Sequence, residues 1–241
     1  MIYLPEIDST NKYAKQLIHD GLSAHGQVIW THHQTQGQGQ RSKLWQDEKG
    51  KSVLMSLILH KKINHLQAFQ VNSLVAICVL KVLKTTLPTL NFYIKWPNDI
   101  FINDKKTCGI LIENGWAGTV WKYAIVGIGI NVLQENFSAE TPLATSLKIE
   151  SGISLSIPNL IENIKTEILN QLEQAQHNAD QWFESYNTFL YKKNQMVQLE
   201  YLETQKIISG EIIAVNTAGE LLFQTSEKLE KINFGTVKWI L

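Results

Sequence analysis

The sequence predicts an α+β fold: a large mixed-sheet region with helices, followed by a small barrel-like β region from about residue 193. Three observations carry that expectation. Apolar runs of strand length alternate with amphipathic helices, but without the regular strand–helix–strand cadence of a doubly wound parallel sheet. From Gln195 onward only short strands separated by turn residues remain. At 241 residues, 44% hydrophobic and 18% charged, the chain is able to bury a substantial core.

Residues 8–22 open with Asp8-Ser9-Thr10-Asn11 and place Tyr13, Ala14, Leu17 and Ile18 at helical spacing, which predicts an amphipathic helix behind a polar start. Gly21 and Gly26 bracket its exit, and residues 27–30 predict a strand. Residues 31–50 are polar, contain Gly37, Gly39 and Gly50, and are too long for a tight turn, so they mark a functional loop. Residues 52–59 predict a strand and 66–83 a helix. Residues 92–96 predict a strand stopped by Pro97-Asn98-Asp99, with a hairpin turn at Asn103-Asp104. Two further sheet elements follow at 109–113 and 123–132. Polar sequence then runs to about Ser156, and 160–190 predicts one helix with Ile161, Ile164, Ile168 and Leu172 on a face. Short strands at 196–199, 210–215, 220–223 and 237–241 complete the chain.

The 22 Lys+Arg balance 22 Asp+Glu, so composition gives no general reason to expect nucleic-acid or anionic-membrane binding. Cys78 and Cys108 sit in apolar surroundings and predict buried thiols in a reducing compartment. The N-terminus lacks a basic segment followed by a long apolar run, and no stretch is expected to reach membrane-spanning length. The expectation is therefore a cytoplasmic protein with no membrane partner. His32 and His33 lack a compelling third ligand and are read as exposed loop residues.

Chemistry concentrates in four places. In the loop, Gly37 and Gly39 permit close backbone approach, Arg41 and Lys43 carry charge suited to phosphate, and Trp45 is suited to stacking or to closing the loop. The loop is neither a Walker loop nor a dinucleotide fingerprint, and a plain polar connection with a packed Trp stays open. Lys95-Trp96-Pro97-Asn98-Asp99 puts a carboxylate and an amide at a strand end, suited to magnesium and phosphate, or else to an ordinary turn. Lys106 heads toward the strand containing Gly109. Gly127 and Gly129 interrupt an apolar strand ending at Asn131, either to admit a ligand or as a simple bulge.

Taken together, Asp8 to Asn11, Gly37 to Trp45, Lys95 to Asp99, Lys106 to Glu113 and Gly127 to Asn131 resemble the biotin–protein ligase family in order, content and spacing. The resemblance covers about residues 1–190. It implies a biotin/lipoate ligase-like catalytic domain over 1–192 and a small SH3-like β-barrel over 193–241. No DNA-binding domain precedes the core, so the form without repressor activity is expected and no DNA partner. The implied activity is ATP-dependent activation of biotin to biotinyl-5′-AMP, followed by transfer to a lysine of a biotin carboxyl carrier protein.

By the same resemblance Lys106 is catalytic, placed beside the biotin carboxylate and the α-phosphate, and Asp99 is a catalytic residue of the ATP–magnesium region. Ser9, Thr10, Asn11, Gln34, Lys106 and Gly109 surround biotin. Gly37, Gln38, Gly39, Gln40, Arg41, Lys43, Trp45, Lys95, Asn98 and Asn131 surround ATP and the adenylate. ATP and Mg2+ are the implied cofactors. The family commonly has Gly-Arg-Gly-Arg where this chain has Gly37-Gln38-Gly39-Gln40, which bears on retention of the adenylate. Lipoate ligation and a non-catalytic binding role are the competing functions. Related ligases include monomers and homodimers, and the sequence leaves both open.

Overall fold

The computed structural model describes residues 1–40, 44–60, 68–139, 141–174 and 179–240. Its larger sheet has seven strands in the order β1-β2-β3-β7-β6-β5-β4. These are β1 (Ile2–Leu4), β2 (Gln27–Thr31), β3 (Ser52–His60), β4 (Phe92–Lys95), β5 (Asp99–Ile102), β6 (Lys105–Ala117) and β7 (Val120–Asn131). Only β1 and β2 run parallel, so the sheet is mixed and the α+β expectation holds.

Strand β3 is buried from Ser52 to Leu59 because both faces are covered. On one side lies α1 (Thr10–His19), whose Ala14 and Leu17 meet Ile29, Ile58 and Ile125. Ser9 caps this helix, its side chain accepting from the Lys12 amide. On the other side, Val53, Met55, Leu57 and Leu59 join the main core with α2 (Ala68–Thr86) and α4 (Ile157–Gln174). Helix α2 is 19 residues long and apolar enough to span a membrane by length and composition, contrary to the expectation that no stretch reaches that length. Its apolar character is explained by burial, since eleven of its residues are buried.

The structure also redraws some boundaries. The helix expected over 160–190 is two helices, α4 and α5 (Ala179–Thr188), the first ending where its buried stripe stops at Leu172. A short α3 (Leu147–Ser151) lies in the stretch read as polar, capped by Ser146 and stopped by Gly152 at φ 73°. Strand β1, at the N-terminus, was not anticipated.

The barrel expectation is overturned. Strands β8 (Met196–Tyr201), β9 (Ile207–Val215), β10 (Leu221–Gln224), β11 (Leu229–Ile232) and β12 (Val237–Ile240) form an open antiparallel sheet in the order β11-β10-β9-β8-β12. Its edge strands β11 and β12 do not pair, and closure would require that they did. The sheet has no need to curl on itself, because its apolar face is covered by the rest of the chain. Leu199, Ile212, Val215, Leu221 and Phe223 belong to the main core. The Trp96 indole N–H donates to the Gly219 carbonyl at 3.0 Å, and the Asn187 amide brackets Val215, donating to its carbonyl at 2.9 Å and accepting from its N–H at 2.7 Å.

Candidate active site

The site is a cleft of about 780 Å3 over the middle of the large sheet, with residues of β12 and the turn before it on its rim. Ser9, Thr10, Asn11, Gln34, Gln38, Gly39, Gln40, Trp45, Lys95, Asn98, Asp99, Lys106, Gly109 and Asn131 all line it. Gly37 stands behind the lining, its carbonyl accepting from the Trp45 amide at 3.0 Å. Arg41 and Lys43 lie outside the described residues.

One wall is a buried polar network. The Thr10 amide donates to Gln34 Oε1 at 2.8 Å, and Thr10 Oγ1 lies 3.1 Å from the same oxygen. Ser56 Oγ lies 2.7 Å from Thr10 Oγ1 and 2.5 Å from Asn11 Oδ1, while Asn11 Nδ2 donates to Glu113 Oε2 at 2.7 Å. Gly127 leaves the space for that amide, because a Cβ there would lie 2.5 Å from Asn11 Oδ1.

The charged centre depends on a break in strand register. Cys108 is opposite Ile100, but Lys106 is opposite Phe101, so Thr107 has no opposite residue. In a regular strand Lys106 would share the face of Cys108, which is fully buried in the core. The bulge instead turns Lys106 to the side of Gly109, which pairs with Asp99. Lys106 Nζ consequently meets Asp99 Oδ1 at 2.7 Å. The Lys106 backbone is held by the Leu143 carbonyl at 2.6 Å and by the Thr145 amide at 2.9 Å. Asn98 is 5% exposed; its amide donates to the Ile110 carbonyl and its own carbonyl accepts from the Ile110 amide, so it braces the turn at the cleft floor. Lys95 lies over the rings of Phe101 and Trp239, 5.5 and 5.1 Å from their centroids.

The far wall is aromatic. The Trp45 ring lies over β6 and β7 where Gly109 and Gly129 face each other. A Cβ on Gly129 would come within 2.7 Å of that ring, and one on Gly109 within 3.0 Å. Lys106 Nζ is 5.8 Å from its centroid. Asn131 Nδ2 donates to the Thr145 carbonyl at 3.0 Å, leaving Asn131 Oδ1 buried without a hydrogen-bond partner among the described residues; Trp45 Nε1 is in the same condition. A buried unpaired acceptor beside a planar platform suits a ligand with a ring and an N–H donor.

Other groups are structural. Burial pushes the Cys78 and Cys108 thiols upward, which keeps them protonated and inert. Burial also raises the Asp47 carboxyl at the cleft edge, with His33 opposing the rise from 3.5 Å. His32 contacts the Tyr3 hydroxyl at 3.1 Å. Among the described residues no three His, Cys, Asp or Glu side chains gather as a metal site. Sequence reading missed Ser56 and Glu113 as members of the polar wall, and Phe234, Lys238 and Trp239 as contributors from the C-terminal sheet. Nothing in local sequence pattern announces contacts over such separations.

A family model described as the biotin/lipoate A/B protein ligase family matches residues 3–131, and the chain belongs to that family. It is 36% identical over 167 residues to the bifunctional ligase/repressor BirA of Bacillus spizizenii, covering 68% of this chain and 51% of that protein. It is 33% identical over 130 residues to the biotin–[acetyl-CoA-carboxylase] ligase of Paracoccus denitrificans, covering 54% and 53% respectively. The chain thus spans about half the length of these curated relatives. Its fold is similar to that of the biotin protein ligase from Aquifex aeolicus in complex with biotin and ATP, with a TM-score of 0.84 at 23% identity, covering 99% of this chain and 97% of that one. The Leishmania major biotin protein ligase in complex with biotinyl-5-AMP gives a TM-score of 0.64 at 20% identity over 96% of this chain and 98% of that one.

Proposed function

We propose that the protein activates biotin with MgATP and transfers it to a lysine of a biotin carboxyl carrier protein. The supporting observation is that one cleft joins the cationic Lys106 to a hydrogen-bonding wall at Thr10 and Gln34 and to the Trp45–Asn131 platform. In the first half-reaction a biotin carboxylate oxygen attacks the α-phosphorus of ATP, and the bond to pyrophosphate breaks. In the second, the acceptor amine attacks the acyl carbon, AMP leaves and the amine proton is released. Lys106 offsets the negative charge that gathers between carboxylate and phosphate. Ser9, Thr10, Asn11 and Gln34 hold the ureido head group, which needs partners once buried. Lys95, Gln38, Gly39 and Gln40 face the phosphates, and Asn131 Oδ1 faces the base.

Magnesium enters with the nucleotide as part of the substrate. Such an ion keeps most of its waters and leans on one carboxylate plus phosphate oxygens. Asp99 is that carboxylate. Residues 1–192 form the catalytic unit in this reading and 193–241 the C-terminal sheet. The two buried free thiols support a cytoplasmic setting.

The test is a matched assay with ATP, magnesium, biotin or lipoate, and a purified carrier domain. Biotin-dependent pyrophosphate release and a carrier mass increased by one biotinyl group are expected. Lipoyl addition instead would reassign the substrate. Ligand binding without pyrophosphate release would make the protein a binding module.

A further inference from the structure

We propose that Glu113 and Ser56 are positioning residues that fix the direction of the Thr10 hydroxyl proton, so that Thr10 presents only lone pairs to the cleft. The inference rests on the proposed function, with biotin's ureido group against this wall. Neither residue lines the cleft; Ser56 is fully buried in β3 and Glu113 is half-buried in β6.

Asn11 Nδ2 donates to Glu113 Oε2 at 2.7 Å, so Glu113 orients the Asn11 amide with Nδ2 toward itself and Oδ1 away. That oxygen lies 2.5 Å from Ser56 Oγ and has no proton of its own, which assigns the single Ser56 proton to Asn11. Ser56 Oγ lies 2.7 Å from Thr10 Oγ1 and cannot donate to both neighbours with one proton, so toward Thr10 it is left as an acceptor. The alternative acceptor, Gln34 Oε1, is farther away at 3.1 Å and already receives the Thr10 amide. Directed at Ser56, the Thr10 proton points into the protein, and the face of Oγ1 on the cleft is an acceptor.

Gly127 is required by the same arrangement. It lies opposite Ser56 in the β3–β7 register, and any side chain there would displace the Asn11 amide that sets the order. The wall is thereby matched to a ligand N–H and mismatched to an oxygen at that place. A ring N–H of a cyclic urea satisfies it. A dithiolane offers nothing to it.

The experiment compares biotin with its two cyclic carbamate analogues, in which one or the other ring N–H is replaced by oxygen. Dissociation constants are measured on the full chain for wild type, Glu113→Gln and Ser56→Ala, with ATP affinity and thermal midpoint recorded alongside. A glutamine at 113 keeps a hydrogen bond to Asn11 but offers it either a donor or an acceptor, so the lock is lost while the contact survives. Wild type is expected to reject one of the analogues by roughly 100-fold or more. Both variants should lower that ratio by about tenfold, roughly one hydrogen bond's worth, with ATP affinity unchanged. Equal losses for biotin and analogues, leaving the ratio intact, would make both residues merely structural and overturn the proposal. Biotin binding by wild type without discrimination overturns the proton relay alone. A wild type that binds none of the three overturns the biotin reading as well.

Discussion

Lys106 Nζ reaches Asp99 Oδ1 at 2.7 Å because β6 bulges at Thr107, which moves the lysine from the core face to the cleft face. Each group is the other's counter-ion. A ligand carboxylate or phosphate must share Lys106 with Asp99, and magnesium carried by ATP offers Asp99 a replacement partner.

Lys106→Ala should impair adenylate formation far more than transfer from supplied biotinyl-adenylate. Loss of the localised positive charge is expected to cost about 2–4 kcal/mol of transition-state stabilisation. Single-turnover measurement of each half-reaction checks the division, and equal defects in both would argue against it.

Asp99→Asn separates the two partners differently. It should shift the magnesium dependence of pyrophosphate release to higher concentration and spare transfer from supplied adenylate. It should also tighten biotin binding in the absence of nucleotide by several-fold, on the order of 1 kcal/mol, as one competitor for Lys106 is removed. An unchanged magnesium titration together with unchanged biotin affinity rules out the pairing as a control on the site.

Gln38 and Gln40 line the cleft as neutral amides. Replacing both by Arg should slow dissociation of labelled adenylate and reduce non-specific biotinylation of other amines, whereas neutralising Arg41 and Lys43 should increase both. Turnover need not rise, because a more tightly held intermediate can delay acceptor entry. Retention unchanged in both sets of variants would place the phosphate contacts elsewhere.

Gly129→Ala places a Cβ 2.7 Å from the Trp45 ring. The ring must leave its seat, so adenylate retention is expected to fall about fivefold, in keeping with a lost aromatic contact of about 1 kcal/mol. The thermal midpoint should move little, because the obstructed partner is a loop side chain. Off-rate measurement beside a melting curve distinguishes this from general destabilisation.

Asp47 supplies a pH signature. Burial raises its carboxyl in the folded state above the ordinary value of 3.8, so the folded protein holds that proton longer than the unfolded chain does. Its contribution to stability is therefore most favourable below pH 3.8 and declines as pH rises through the raised value. Asp47→Asn should be more stable than wild type at pH 7, with the difference shrinking toward pH 4. Denaturant midpoints at the two pH values measure it, and a constant offset would contradict the assignment.

The sequence made the strand at 52–59, the helix beginning at Thr10 and the clustering of the site motifs legible, because each has local spacing or capping chemistry behind it. The Thr107 bulge was not legible, since register is set by partner strands rather than by neighbours in sequence. Asn11 was marked by its motif, but Glu113 lies 102 residues away and nothing local says that the two meet. The barrel expectation failed for a related reason: short alternating strands do not reveal whether a sheet closes on itself or is covered from outside.

The C-terminal sheet is anchored beside the cleft by Trp96, which precedes the Pro97-Asn98-Asp99 turn and bonds to Gly219. A shared core and a shared wall make the sheet and the site one thermodynamic unit. Ligand held in the cleft therefore protects residues that never touch it: at a concentration 100 times its dissociation constant it raises the free energy of unfolding of the whole chain by about 2.7 kcal/mol. Amide exchange in β9 and β10, remote from the chemistry, becomes a gauge of how full the site is.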